Sequence, residues 1–588
     1  MTKIFNDPSE FCEDQLAGFA DLYADRLWAV PGGVVALPSG EPQVAVVVGG
    51  GSGHYPAFAG LVGPGFATGA VVGNIFTSPS AAQVYSVAKA ADQGRGVILT
   101  FGNYAGDNMN FGIAARRLRE EGIDTRIVVV TDDVASATEE DKRRGIAGDF
   151  TVFKAMGAAA AAGLDLDGVE RVGREANAAT RTLGVAFSGC TMPGAEQPLF
   201  TVPEGHLGLG LGIHGEPGIR DEPLPSADQL AQTLVSALLS AAPEGSGTRV
   251  GVILNGLGTT KYEELFLLWG HVAPLLRAAG CELVDPEVGE LVTSLDMGGC
   301  SLTLFWLTDE LEKYWRADAY TPAYRKQAGP LAGLDTAARR GAAAEHAEQV
   351  PEAGAASRAL AGQVLAGLRT VDRVLRLNEA ELGAIDAVAG DGDHGRGMVK
   401  GASGALASVE ALPEHAGAGW LLRTAGRSWA AKAGGTSGVL WGAALEAAGS
   451  VLDEDADAFD ADDACAAVDA FTRAIQELGG AQPGDKTMLD ALVPFTEKLR
   501  SAIGQGLTAA WEVSAATATS AAADTARLRP QVGRARPLAE KSLGTPDAGA
   551  TSIALILSAV GREILGTGPD AAADTSAEDT TKKEKVEQ

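Results

Sequence analysis

The sequence predicts a multidomain chain whose first half is α/β and whose second half is all-α. Three observations carry this. Four short β-branched runs lie in the first half, each closed by Gly, Asn or Asp: Gln43–Val48, Val97–Phe101, Arg126–Val130 and Val250–Leu254. Helical apolar spacing separates them, the alternation of buried parallel strands with covering helices. From about Ala355 onward the β-branched clusters stop and Ala/Leu-rich stretches take over.

Taken in order, the first three runs end in Gly49-Gly50-Gly51, Gly102-Asn103 and Thr131-Asp132-Asp133, and the fourth in Asn255-Gly256. Ligands of such sheets collect at the C-terminal strand ends, where all four loops fall. Helices are expected over Ser357–Leu377, Gly419–Ala433, Ala464–Leu478, Pro494–Ile503, Gly506–Ala526 and Thr551–Leu565. Residues 331–354, rich in Ala, Gly, Arg and Glu, read as a linker. The segment 567–588 has almost no large apolar residue and is expected to be disordered.

Hydrophobic residues make up 46% of the 588 and charged residues 21%, which excludes a wholly disordered chain. Glycine, at 76 residues, is well above its usual share of about 7% but lacks a collagen period, so it marks tight turns. Against 47 Lys and Arg stand 76 Asp and Glu, a net charge of −29. So acidic a chain is not built to bind nucleic acid, whose phosphates call for Lys and Arg. Five cysteines (Cys12, Cys190, Cys281, Cys300, Cys465) show no metal spacing and read as reduced thiols of a cytoplasmic enzyme. The N-terminal residues carry acids and no apolar core, unlike a signal peptide. No apolar run approaches the ~18 residues of a membrane span.

In the first half, GGGSGHYP (Gly49–Pro56) follows a strand directly. Its glycines let backbone N–H groups approach a small oxygen-rich ligand, with His54 at the floor; the other reading is a tight turn with a capping His. In GNYAGDNMNF (Gly102–Phe111), Asp107 is either a helix N-cap or a partner of His54 at the same sheet edge. GLGLGIHGEPG (Gly208–Gly218) contains a formal GxGxxG, but Pro217 stands where a helix should begin, so it is not a dinucleotide loop. His214 within it is either a surface residue or, if rigidly held, a nucleophile toward a carbonyl carbon. NGLGTTK (Asn255–Lys261) misses the spacing of a phosphate loop and is assigned to structure.

In the second half, DAVAGDGDHG (Asp386–Gly395) places Asp386, Asp391 and Asp393 close together. Three neighbouring carboxylates repel unless a cation neutralises them. The residues after Asp393 lack the remaining ligands of an EF-hand, and so few carboxylates suit Mg²⁺ bridging phosphates; helix caps and a turn are the other reading. GGTSG (Gly434–Gly438), PGDKTMLDAL (Pro483–Leu492) and GTPDAGATS (Gly544–Ser552) each lead from a turn into a helix. Together they suggest a bundle with one rim of helix N-termini, a magnesium–nucleotide site.

In this order, GGGSGH, NYAGD, GLGIHGEPG, TSLDMGGCSLTL (Thr293–Leu304), GDGDHG, GGTSG, PGDKTMLDAL and SLGTPDAGATS resemble the single-chain, ATP-dependent dihydroxyacetone kinase family over residues 10–565. The resemblance implies a K-type ketose-binding domain over residues 7–330, α/β in two subdomains split near 185. It implies an L-type domain over 355–566, a barrel of about eight helices holding Mg-ATP. It further implies that His214 traps the substrate carbonyl as a hemiaminal. His54 and Asp107 become the acid/base pair, either one the base, with Gly51, Ser52, Gly53 and Gly102 around the substrate. Mg²⁺ falls to Asp386, Asp391 and Asp393, and the nucleotide to His394, Thr436, Ser437, Gly480, Met488 and Asp547.

Three departures surround the pocket: His54-Tyr55-Pro56 where the family reads GHEP, Gly102 where it has Lys, and VGNIFTSPSA (Val72–Ala81) for CGDVFASPSA. Lys to Gly removes a charged donor and opens space, so the expected substrate is a ketose one carbon longer, D- or L-erythrulose; dihydroxyacetone is the alternative. A phosphotransfer-system component, a ketose-binding regulatory protein and an Mn-dependent FAD-cleaving cyclase are the other classes within the resemblance. The fused domains weigh against the first, and Asp107, His214 and the aspartate triad against the second. The expected partners are a small ketose and ATP, without nucleic acid or membrane, in a homodimer that the linker allows to be domain-swapped.

Overall fold

Six strands make the first sheet: β1 (Leu27–Val30), β2 (Gly33–Ala36), β3 (Ala45–Ser52), β4 (Gly69–Ile75), β5 (Val97–Gly102) and β6 (Thr125–Val130), in the order β1-β2-β4-β3-β5-β6. β4, β3, β5 and β6 run parallel; β1 and β2 are an antiparallel extension. Successive side chains of a strand face opposite ways, and β3 shows the consequence. Ala45 and Val47 pack with Val84, Val87, Phe111 and Leu118, whereas Val46 and Val48 join Phe150, Phe153 and Val169. The covering helices are α2 (Ala81–Ala91) and α3 (Ala105–Glu120) on one face, α4 (Asp149–Ala161) and α5 (Leu166–Ala178) on the other; α1 (Phe11–Leu22) precedes the sheet. The computed structural model describes residues 2–38, 40–327, 350–433, 435–532 and 535–566.

The second sheet holds β7 (Thr180–Ser188), β8 (His206–Leu209), β9 (Arg220–Pro223), β10 (Arg249–Gly256), β11 (Glu282–Leu283), β12 (Glu287–Gly289) and β13 (Gly298–Trp306). Its order is β11-β10-β13-β7-β8-β9, with β12 also on β10. Here the expectation of parallel strands needs correction. β10 pairs along its length with β13 in antiparallel register, and only the short β11 and β12 lie parallel to it. A buried strand reads as the same apolar run in either direction, so composition does not decide it. Val252 and Leu254 face α6 (Ala227–Ser240) and α7 (Tyr262–Ala278). Ile253 and Phe305 face the cluster that contains α4. That helix is buried from Asp149 to Ala160, wedged between the two sheets. α8 (Asp309–Arg316) adds Leu311 and Trp315 to the same core.

The chain divides into two compact units, Met1–Leu334 and Asp335–Gln588. The second is all-helical: α9 (Ala355–Leu377), α10 (Glu379–Asp386), α11 (His394–Glu410), α12 (Ala418–Ala433), α13 (Gly435–Ser450), α14 (Ala461–Gly479), α15 (Leu489–Ala502), α16 (Leu507–Asp524), α17 (Ala539–Ser542) and α18 (Ala548–Ile564). Among the eight long ones, α9 packs on α11, then α12, α13, α14, α15, α16 and α18 succeed one another, and α18 packs back on α9. Trp429 of α12 and Trp441 of α13 stack inside this core with ring centroids 4.8 Å apart and planes 10° from parallel. The expected linker 331–354 lies outside the described residues as far as 349, as do Gly434 and the expected tail 567–588. Among the described residues no helix is long and apolar enough to cross a membrane.

Candidate functional site

In the first unit, the strand ends open on a cavity of about 530 Å³. β3 delivers Gly51 and, just beyond it, His54. β5 delivers Gly102, and the first turn of α3 delivers Asp107. The loop between β8 and β9 brings His214 and Glu216, and Asp149 enters at the start of α4. His54 and His214 meet Nε2 to Nε2 at 3.1 Å, their rings nearly perpendicular and both against Phe76. His54 Nδ1 lies 2.7 Å from the Thr293 carbonyl oxygen, and His214 Nδ1 lies 2.8 Å from Glu216 Oε1. Tyr104 closes the far side of the His214 ring.

These partners fix the protons. A carbonyl and a carboxylate only accept, so both Nδ1 atoms carry hydrogen. The two Nε2 atoms face each other at hydrogen-bond distance, a contact that one proton between them would close. His54 is only 3% exposed; burial, and then the nearby His214, push it down to about 3, so it is a neutral acceptor. Burial works against the Glu216 charge, but the hydrogen bond and charge of His214 bring it down to about 2. Behind Glu216 stands Arg144 at 3.8 Å, itself bonded to Asp133. Burial raises Asp107, while Ser78 and His214 pull it back. The Asp107 Oδ1 atom is buried with no hydrogen-bond partner.

In the second unit a cavity of about 300 Å³ is lined by residues at the starts of α11, α13, α15 and α18, where unpaired N–H groups favour anions. His394 opens α11 and lies 3.1 Å from Ser552 Oγ, and burial lowers its pKa. Thr436 and Ser437 stand in the first turn of α13, Met488 immediately before α15. Asp547 caps α18 by accepting from Ala550 N at 2.8 Å; burial pushes it up to about 6, with Asp490 adding to the rise. Beside them, oxygens of Asp386, Asp391 and Asp393 lie within 4.8 Å of one another. An octahedral Mg²⁺ with bonds of about 2.1 Å spans roughly 4.2 Å between opposite oxygens. A small closing movement therefore fits this all-oxygen set to one ion.

The expected residues divide between the two cavities. His54, Asp107, His214, Gly51 and Gly102 share the first; His394, Thr436, Ser437, Met488, Asp547, Asp386 and Asp391 share the second. Ser52 and Gly53 line a neighbouring hollow with Gly51, Tyr55 and Thr293 rather than the His54–His214 cavity. Gly480 ends α14 with φ of +64°, and its neighbours Gly479 and Ala481 line the second cavity in its place. Asp107 is not an N-cap, since Tyr104 holds that position. His214 is not on the surface; 20% of its side chain is exposed. Glu216, Tyr104, Asp149 and Lys486 join the two sites without having been expected there. The last lines the second cavity while its Nζ donates to the carbonyls of Leu528, Ser542 and Thr545. Three of the four sit inside quoted motifs; Asp149 carries no motif signal.

Comparison with known proteins gives a Dak1 domain over residues 17–323 and a DAK2 domain over 388–562. A D-erythrulose kinase of Mycolicibacterium smegmatis is 59% identical over 94% of this chain and 97% of its own. An L-erythrulose kinase of Pectobacterium atrosepticum is 54% identical over 95% and 96%. The crystal structure of the dihydroxyacetone kinase from C. freundii in complex with AMP-PNP and Mg²⁺ is 30% identical, with a TM-score of 0.55 over 95% of this chain and 99% of that one.

Proposed function

Because the chain belongs to the single-chain dihydroxyacetone kinase family, we propose that it is an ATP-dependent kinase that phosphorylates a terminal hydroxyl of erythrulose. The observation that carries the reading is identity above half, over nearly the whole chain, to two erythrulose kinases. The His54–His214–Glu216 arrangement supplies a chemical route.

The substrate carbonyl enters between the two imidazoles. A proton between the two Nε2 atoms passes to His54, which frees the His214 Nε2 lone pair to attack C2; the C=O pair moves to oxygen, and that oxygen takes the proton from His54 Nε2. The alkylated His214 ring keeps its Nδ1 hydrogen and becomes a cation, neutralised by Glu216. A plain alcohol cannot be trapped this way, so glycerol is excluded. Asp107, which lines the cavity with its Oδ1 unpartnered and is made more basic by burial, takes the proton of the attacking hydroxyl. His54 keeps its role at the carbonyl. Asp386, Asp391 and Asp393 would hold Mg²⁺, which supplies charge neutralisation for the phosphates. His394, Thr436, Ser437, Met488, Asp547 and the Gly480 turn position the nucleotide. The reading includes a cytoplasmic homodimer.

The test is ADP release by the pure protein with Mg-ATP and D-erythrulose, L-erythrulose, dihydroxyacetone, glyceraldehyde and glycerol. Erythrulose is expected to give the highest kcat/KM and glycerol nothing; dihydroxyacetone winning would overturn the substrate. His214→Ala is expected to lose the ketose adduct in intact-protein mass spectrometry, and an adduct that persists would remove His214 from the mechanism.

A further inference from the structure

The ketose cavity holds more polar chemistry than this route uses. Asp149, the first residue of the buried α4, is 4% exposed and lines the cavity together with Asp107 and His214. Its Oδ1 atom is buried and without a hydrogen-bond partner, and so is the Tyr104 hydroxyl on the same cavity. Leaving a buried polar atom unpaired costs about 1–3 kcal/mol. That cost is relieved when a ligand brings the missing partner.

The neighbouring corner is bounded by backbone. A Cβ at Gly102 would lie 3.0 Å from the Gly145 oxygen and 3.3 Å from the Tyr104 ring. No side chain therefore reaches across from β5 to occupy either orphan group. Burial, and with it the charges of Asp132 and Asp107, pushes the Asp149 carboxyl well above the usual range. A neutral carboxyl both donates and accepts, which suits an alcohol.

A three-carbon ketose held at C2 carries one CH2OH on each side. A four-carbon ketose adds a hydroxyl-bearing carbon on one side. We propose that Asp149, with the Tyr104 hydroxyl, binds this additional hydroxyl and so selects the four-carbon substrate. The inference rests on the erythrulose reading and deepens it: a site built around buried polar groups penalises the analogue that leaves them unpaired.

The test measures kcat and KM of the full-length protein for both erythrulose enantiomers and dihydroxyacetone, in wild type, Asp149→Asn and Tyr104→Phe. Asp149→Asn is expected to lower the erythrulose-to-dihydroxyacetone ratio of kcat/KM at least tenfold, mainly through the erythrulose KM. A ratio within twofold of wild type, or an equal fall for both substrates, would make Asp149 structural and overturn the inference. Should Asp149→Asn fail to fold, Tyr104→Phe decides by the same ratio, with a threefold fall expected and no change overturning. A wild type without erythrulose preference removes the substrate reading and this inference with it. A wild type with the preference and variants that keep it remove this inference alone.

Discussion

Asp547 shows how one residue couples the second cavity to stability. Its pKa is about 6 in the fold against an ordinary 3.8, so the folded state binds the extra proton between those values. The associated stability is fully present below about pH 3.8 and is lost as pH rises through 6, on the order of 3 kcal/mol by pH 7.5. Asn keeps the cap without the charge. Asp547→Asn is therefore expected to raise the nucleotide-free melting temperature at pH 7.5 while leaving it nearly unchanged at pH 4; equal effects at both would contradict the assignment. At the neighbouring triad, Asp391→Asn is expected to weaken Mg-ATP binding at least tenfold by calorimetry while the ketose adduct persists. Much of this geometry is legible in the sequence because His54, Asp107, His214 and the triad each sit in a glycine-flanked motif. Glu216 lies two residues from His214 in one of those motifs, but nothing in the spacing says that it turns back onto the imidazole. Asp149 is not legible at all, because only the passage from β6 into α4 carries it to the strand ends where His54 stands.

At the scale of elements, α11 is the instructive case. The expected helices match their observed counterparts to within a few residues, except that α15 begins at Leu489 and carries Pro494 inside it, where the sequence suggests a start. The stretch over α11 is not among the expected helices, because Gly395, Gly397, Gly401 and Gly404 depress its propensity. Packing explains three of them, Gly404 through Lys432 Cγ, which a Cβ there would meet at 2.5 Å. A Cβ at Gly395 would lie 2.1 Å from the Glu379 carbonyl oxygen, and one at Gly401 would lie 2.4 Å from Trp429 Nε1. Replacing Gly by Ala in a helix gains about 1 kcal/mol, whereas overpacking a tight contact costs about 1–3 kcal/mol or more. At Gly395 the obstacle is backbone, so the cost wins. Gly395→Ala is expected to lower the melting temperature of the helical unit by several degrees and, by shifting His394 next to it, to weaken nucleotide binding. A rise in melting temperature would show that propensity, not contact, governs this helix.

For the whole molecule, the two units hold separate cores and separate cavities. Residues 1–327 and 350–588, expressed apart, are expected to trap a ketose and to bind Mg-ATP respectively, each within about threefold of the intact chain. Loss of either activity on separation would show that one unit depends on the other for its fold. The division is plain in the sequence as a shift from β-branched runs to Ala/Leu stretches, since that shift reflects two different ways of burying apolar surface. The stacked Trp429–Trp441 pair gives the helical unit an optical signature of its own. Two indoles this close and this parallel couple their electronic transitions, and one of them rides on α13, whose first turn lines the second unit's cavity. The coupled circular dichroism of that pair would report on the helical unit in the intact protein, without a dye, because the first unit's Trp28, Trp269, Trp306 and Trp315 form no stacked indole pair among the described residues.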